Sequence, residues 1–131
     1  MRRILPLMIA GALLAGTAAY AHHSYGATYD VSKEIKLDGK LVQFVYRNPH
    51  SFVTVQAPDA KGVQQRWAVE WSGTAQLGNA GVTRESLKVG DQITIVGNPS
   101  RVNGEYRVLM VNLKRAADGF TWGTRPGERV D

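Results

Sequence analysis

The chain contains no cysteine. That excludes a disulfide framework, and it excludes an acylated cysteine at the end of an export signal, so an exported form is not a lipoprotein. A cysteine-free domain outside the cytoplasm is held by its core alone. Catalytic signatures are also missing: there is no phosphate loop, no nucleophile elbow and no paired-carboxylate motif, and the few serines have no neighbouring base. No internal repeat or low-complexity block interrupts the sequence. Histidine is scarce, with three in 131 residues.

What is present begins with an export signal. Arg2 and Arg3 precede an apolar and small-residue run from Ile4 to Ala19, and Ala19-Tyr20-Ala21 places small residues where a signal peptidase reads them. The run is short for a ~20-residue span and contains Gly11 and Gly16, so a cleaved signal over residues 1–21 is preferred to an uncleaved anchor. The expected address is the periplasm or the exterior. No later stretch is apolar enough to cross a membrane. Loss of Arg2 and Arg3 lowers Lys+Arg from 16 to 14 against 11 acids, a net charge of +3. That small excess, with export, argues against a nucleic-acid partner.

About 110 residues remain, enough for one core. A polar lead-in (22–33) precedes a β-domain (34–115) and a tail (116–131). Glu34 to Arg47 reads as a long strand whose alternation changes phase: Ile35 and Leu37 share one parity, Val42, Phe44 and Tyr46 the other. A phase slip beside Gly39 predicts a bulge that lets one strand bend across two sheets. Asn48-Pro49 breaks the run. Ser51 to Ala57 and Val63 to Trp71 are two further strands, the latter placing Trp67, Val69 and Trp71 on one face, read as core. Ser72 to Val82 reads as irregular. Thr83 is expected to cap a short helix, Arg84 to Leu87. Gly90-Asp91 turns into a fourth strand, Gln92 to Gly97. Asn103-Gly104 marks a hairpin tip before a fifth strand, Glu105 to Lys114. Phe120 and Trp122 are candidates to dock the tail. Three strands, a short helix and two strands predict an all-β, five-stranded, OB-like Greek-key barrel, with a small β-sandwich as the alternative.

These residues resemble an uncharacterised family of short exported bacterial proteins, a domain of unknown function. Its pattern joins a His-His-Ser start after the signal (His22-His23-Ser24) to an Asn-Pro-His turn (Asn48-Pro49-His50). Tyr29-Asp30, Gly39, Trp67 with Glu70, Gly81 with Thr83, Gly90-Asp91 leading to Gly97, and the Ala117-Asp118-Gly119 turn also match. Val82 stands where the family often has an aromatic. The resemblance implies export and a small β-fold, and it implies no activity.

All three histidines fall in those two motifs. Imidazole ligates copper, zinc and nickel, and nitrogen-rich sites favour Cu(II). After cleavage at Ala21, the His22 amine and ring with the His50 ring would form a three-nitrogen copper site, a histidine brace by analogy. His23 replaces either ring or lies outside. Cleavage after Ala19 would instead put His22 at position three of a local amine–amide–imidazole chelate. The plainer reading makes the His22-His23 pair solvent-exposed and His50 part of a turn fixed by Asn48 and Pro49.

Glu70 is read first as a surface acid, next as a partner of Arg66, and as a metal ligand if its face meets His50. Tyr46 and Phe52 flank the turn and, with Asn48 and Glu70, offer a surface for a peptide, glycan or envelope protein. Gly39, Pro49, Trp67, Trp71, Gly90, Asp91 and Gly97 are assigned structural work. The expectations are therefore a copper-holding module, a metal-free interaction module, and, third, a small copper oxidase; a non-enzymatic role is preferred.

Overall fold

The computed structural model describes residues 25–123. The signal segment, the His22-His23 pair and the end of the tail lie outside the described residues. Six strands and one helix follow a helical turn over residues 25–28: β1 (Ile35–Val45), β2 (Phe52–Pro58), β3 (Gln64–Glu70), α1 (Thr74–Asn79), β4 (Gln92–Pro99), β5 (Arg107–Arg115) and β6 (Phe120–Trp122).

The first strand is shared between two halves of the sheet. Ile35 to Lys40 pair with β4, Lys40 to Val45 pair with β2, and the register slips between Leu41 and Gln43. The bulge therefore sits where the hydrophobic alternation changes phase. Gly39 is needed beside it because a Cβ there would run into the Gln56 carbonyl and stand 2.9 Å from Ala57 Cβ. β2 pairs with β3 and β4 with β5, all antiparallel, and a parallel pairing of β3 with β5 closes the ring. A five-stranded barrel with a bent first strand, this closure and a helix between β3 and β4 is the OB-like architecture. Its interior is filled by alternate residues such as Leu37, Leu41, Val53, Val55, Val69, Ile95 and Leu113. Trp67 and Trp71 are buried with them.

Two expectations need correction. The helix lies at Thr74–Asn79, within the stretch read as irregular. Ala75, Gln76 and Leu77 are good helix formers, Leu77 is fully buried as its anchor, and the Asn48 side chain accepts the Thr74 amide at 2.9 Å. Arg84 to Leu87 is a turn instead: the Thr83 amide bonds Ser86 Oγ at 2.8 Å, and Asp91 takes the Lys88 amide at 3.0 Å. Residues 120–122 form a sixth strand on β5, where Trp122 packs edge-on against Trp71 at 5.2 Å. Arg115 fixes that hairpin and the Gly90-Asp91 turn together, bonding Asp91 at 2.6 Å and Asp118 at 2.8 Å.

Gly97 occupies the second irregular register, opposite β5. A methyl group there would overlap Val108 Cγ1 and come within 2.5 Å of the Leu109 carbonyl oxygen, whereas one at Gly26 meets nothing within 4 Å. Gly97→Ala is expected to lower unfolding stability by about 1–3 kcal/mol. Gly26→Ala should stay within about 0.5 kcal/mol of wild type. Urea denaturation of both variants checks the pair, and equal stabilities would contradict the close approach at Gly97.

Candidate functional site

One end of the barrel gathers the β1–β2 turn, the start of α1, the last residue of β3 and the first residue of β5. The turn contains a cis Asn48-Pro49 peptide. Ser51, fully buried, fastens it by donating to the Arg47 carbonyl and accepting the Arg47 amide, each at 3.2 Å. Backbone bonds from Ser51 N to Ser72 O (3.0 Å) and from Trp71 N to Ser51 O (2.8 Å) hold the turn against the end of β3. Gly73 lets the two chains touch, since a Cβ there would lie 2.6 Å from the Pro49 carbonyl oxygen. His50 is thus presented by a turn fixed on both sides.

Beneath His50 lies Glu70, 7% exposed. Its Oε1 accepts from His50 Nδ1 at 2.9 Å. Its Oε2 accepts from the Tyr29 hydroxyl and from Arg107 Nη2 at 3.1 Å, and Arg107 Nε also donates to the Tyr29 oxygen at 2.8 Å. The carboxylate can only accept, so His50 Nδ1 carries a proton. Nε2 lies 2.6 Å from the Tyr25 hydroxyl, which donates to it when the ring carries its proton on Nδ1 alone. Five side chains form one line: Tyr25, His50, Glu70, then Tyr29 and Arg107 together. Burial, with the negative charge of Glu70, pushes the Tyr25 hydroxyl above its ordinary pKa. Burial and the hydrogen bond to Glu70 push Tyr29 further up. Arg107 is also raised, its attraction to Tyr29 and Glu70 outweighing its burial.

Glu70 is therefore neither a surface acid nor a partner of Arg66. It does face away from Trp67, as strand alternation requires. That outer face is covered by the lead-in, where Tyr29 is fully buried and bridges to Ser100, and by Arg107, brought alongside Ala68 by the parallel β3–β5 pairing. Tyr25, Tyr29 and Arg107 were not singled out from sequence as site residues. Their convergence is long-range, and only the Tyr29-Asp30 match hinted at it.

Beside this line opens a cleft of about 600 Å³ whose walls include Tyr25, Asn48, Pro49, His50, Trp71, Gln76 and Met110. The Trp71 indole N–H is buried with no hydrogen-bond partner among the described residues. Asn48 borders the cleft, although its Oδ1 is committed to Thr74. Tyr46 turns from it, its hydroxyl placed 3.1 Å from the carbonyls of both Thr74 and Val82. Phe52 is half-buried under the Arg47 guanidinium, 5.3 Å from the ring centroid. Of the residues offered for metal binding, His50 is placed here; His22 and His23 lie outside the described residues.

Tyr29 supplies a pH test. A phenol whose folded pKa lies above its unfolded value of about 10 stabilises the fold below that pH, and the contribution is lost as pH rises further. Tyr29→Phe should cost about 1.5–3 kcal/mol at neutral pH by removing a hydrogen bond to a charged group. From pH 9 to 11 the variant should lose less stability than wild type. Urea midpoints across that interval check it, and parallel curves would contradict the role given to Tyr29.

No curated protein matches the chain. Among solved structures, the mitochondrial single-stranded DNA binding protein Rim1 of S. cerevisiae is similar with a TM-score of 0.47 and 9% identity, over 64% of this chain and 93% of that one. A family described as a family of unknown function, DUF6152, matches residues 11–109, more than half of the sequence. The chain belongs to that family of unknown function, DUF6152.

Proposed function

We propose that this small β-barrel is an exported binding module that holds a copper ion, with His50 as one ligand and the N-terminal His22 and His23 as the source of others. One observation carries this reading: Glu70 holds the Nδ1 side of the His50 ring at 2.9 Å, leaving Nε2 as the nitrogen that can bind a metal. A carboxylate on the far nitrogen is the partner metal-bound imidazoles characteristically have, because it fixes the tautomer and raises ligand basicity. Tyr25, at 2.6 Å from Nε2, ties the start of the domain to the same atom. His22 precedes Tyr25 by three residues, a reach of at most about 11 Å. Among the described residues no three of His, Cys, Asp and Glu form a ready-made metal cluster, so the N-terminal pair is essential to the proposal. A nitrogen-dominated set favours Cu(II).

The cleft supports a second, metal-free reading. About 600 Å³ lies within the range of small-ligand sites, and Pro49, Trp71, Ala75, Leu109 and Met110 give it apolar walls. A peptide, a glycan or a segment of an envelope protein would suit it. A copper oxidase is the third alternative, and consumption of oxygen or peroxide by copper-loaded protein with a reductant would be its signature.

Calorimetric titration of the exported, processed protein with Cu(II) separates the first two. His50→Ala is expected to weaken copper affinity at least about tenfold, the scale on which losing even a supporting group acts. Unchanged affinity would remove His50 from the site. No stoichiometric copper in the wild type would leave the metal-free module in front.

A further inference from the structure

We infer that the cleft recognises an uncharged peptide segment, taking one apolar side chain against Leu109 and Met110 and one peptide carbonyl onto the Trp71 indole N–H. The inference rests on the metal-free reading above and deepens it, and it uses described residues alone, whether or not His50 holds copper. It is carried by a donor without an acceptor. Trp71 is 2% exposed and lines the cleft, and its buried indole nitrogen has no hydrogen-bond partner among the described residues. The ring of Trp122, edge-on at 5.2 Å, offers only a weak π acceptor in place of one. A buried N–H left in that state costs free energy, and an oxygen brought in by a ligand recovers it.

The rest of the cleft selects the kind of ligand. Among the described residues, no Asp, Glu, Lys or Arg lines it, so a charged group entering it would leave water without a partner. Glu70, behind His50, is already answered by Arg107, Tyr29 and His50 itself. Pro49, Ala75, Leu109 and Met110 supply apolar wall, and Met110, unbranched and polarisable, can shift to admit an oxygen to the shielded indole nitrogen. At the rim, Asn48 has given its Oδ1 to the Thr74 amide, which leaves Nδ2 to donate. The exposed Gln76 side chain offers both a donor and an acceptor. That combination suits a peptide group, which carries one N–H and one C=O. A sugar is poorly served, because the Trp71 ring has no open face to stack on. Both edges of β3 are taken, by β2 and β5, so side chains hold the segment and it does not join the sheet as a strand.

The test is NMR titration of the exported, processed protein, freed of metal by a chelator, following the assigned indole N–H signal of Trp71. The probes are the blocked dipeptide N-acetyl-Ala-Leu-amide, the same dipeptide with free charged termini, and methyl glucoside. The blocked dipeptide should bind saturably and move the Trp71 indole proton downfield. The charged form should bind at least about tenfold more weakly. Ala75→Phe, at an exposed position of α1, should fill the cleft and weaken the blocked dipeptide at least about tenfold, with the urea midpoint near that of wild type. Saturable binding that leaves the Trp71 indole signal unmoved, or that Ala75→Phe does not weaken, would overturn the inference. Equal binding of the charged form would overturn it too. Binding of the glycoside in place of the dipeptide would overturn peptide recognition and leave the metal-free module standing. Binding of no probe would overturn peptide recognition and the reading of the cleft as a ligand site with it.

Discussion

A carboxylate removed from water must find charge and hydrogen bonds inside the protein, because an isolated buried charge costs several kcal/mol. Glu70 meets that demand from three separate parts of the chain: His50 from the β1–β2 turn, Tyr29 from the lead-in and Arg107 from the start of β5. Two of these groups are held by something else as well. His50 is fixed by the Ser51 and Ser72 bonds, and Tyr29 by its bridge to Ser100, with the Asp30 amide bonding the Pro99 carbonyl at 2.8 Å. The lead-in therefore works as a structural part of the barrel, not as a leash. Removing Glu70 would loosen segments spread from Tyr29 to Arg107 at one stroke.

Barrel closure is what allows this convergence. Antiparallel neighbours alone would leave β3 and β5 on separate edges. Their parallel pairing sets Ala68 beside Arg107 and Glu70 beside Leu109, which delivers the guanidinium to the carboxylate. The bend in β1 serves the same end of the molecule. After the slip between Leu41 and Gln43, the second half of the strand follows β2 and leads into the turn that carries His50.

Local chemistry was legible in the sequence, and its long-range consequences were not. The phase change between Leu37 and Val42 announced the bulge because strand alternation has a period of two, and any extra residue inverts it. Gly97 was assigned structural work, but its close approach to Val108 and Leu109 emerges only from the fold. Helix α1 was missed because its six residues carry Gly78 and follow Gly73, and because its first amide is capped by Asn48, 26 residues away. Thr83, an apparent cap, is used in a turn with Ser86 instead. Glu70 was misread since alternation places it opposite Trp67, and sequence alone does not reveal that the outer face of β3 is covered. His50 could be singled out by type and motif, whereas Tyr25 as its partner required knowing that the lead-in folds across the barrel end.

The tether at Tyr25 also bears on how the proposed centre depends on processing. A chain beginning at His22 supplies an amine and a ring, which leaves a Cu(II) centre short of donors. His50 Nε2, hydrogen-bonded to Tyr25 three residues along from His22, is the group that would add to it. A chain beginning at Tyr20 places His22 third, and its amine, intervening amides and imidazole then form a chelate that needs nothing from the barrel. The two cuts therefore differ in whether metal binding is coupled to folding. Only in the first would the Glu70 network, by holding His50, set the geometry of the centre, and only then would copper stabilise the barrel, by an amount that rises with the logarithm of its affinity.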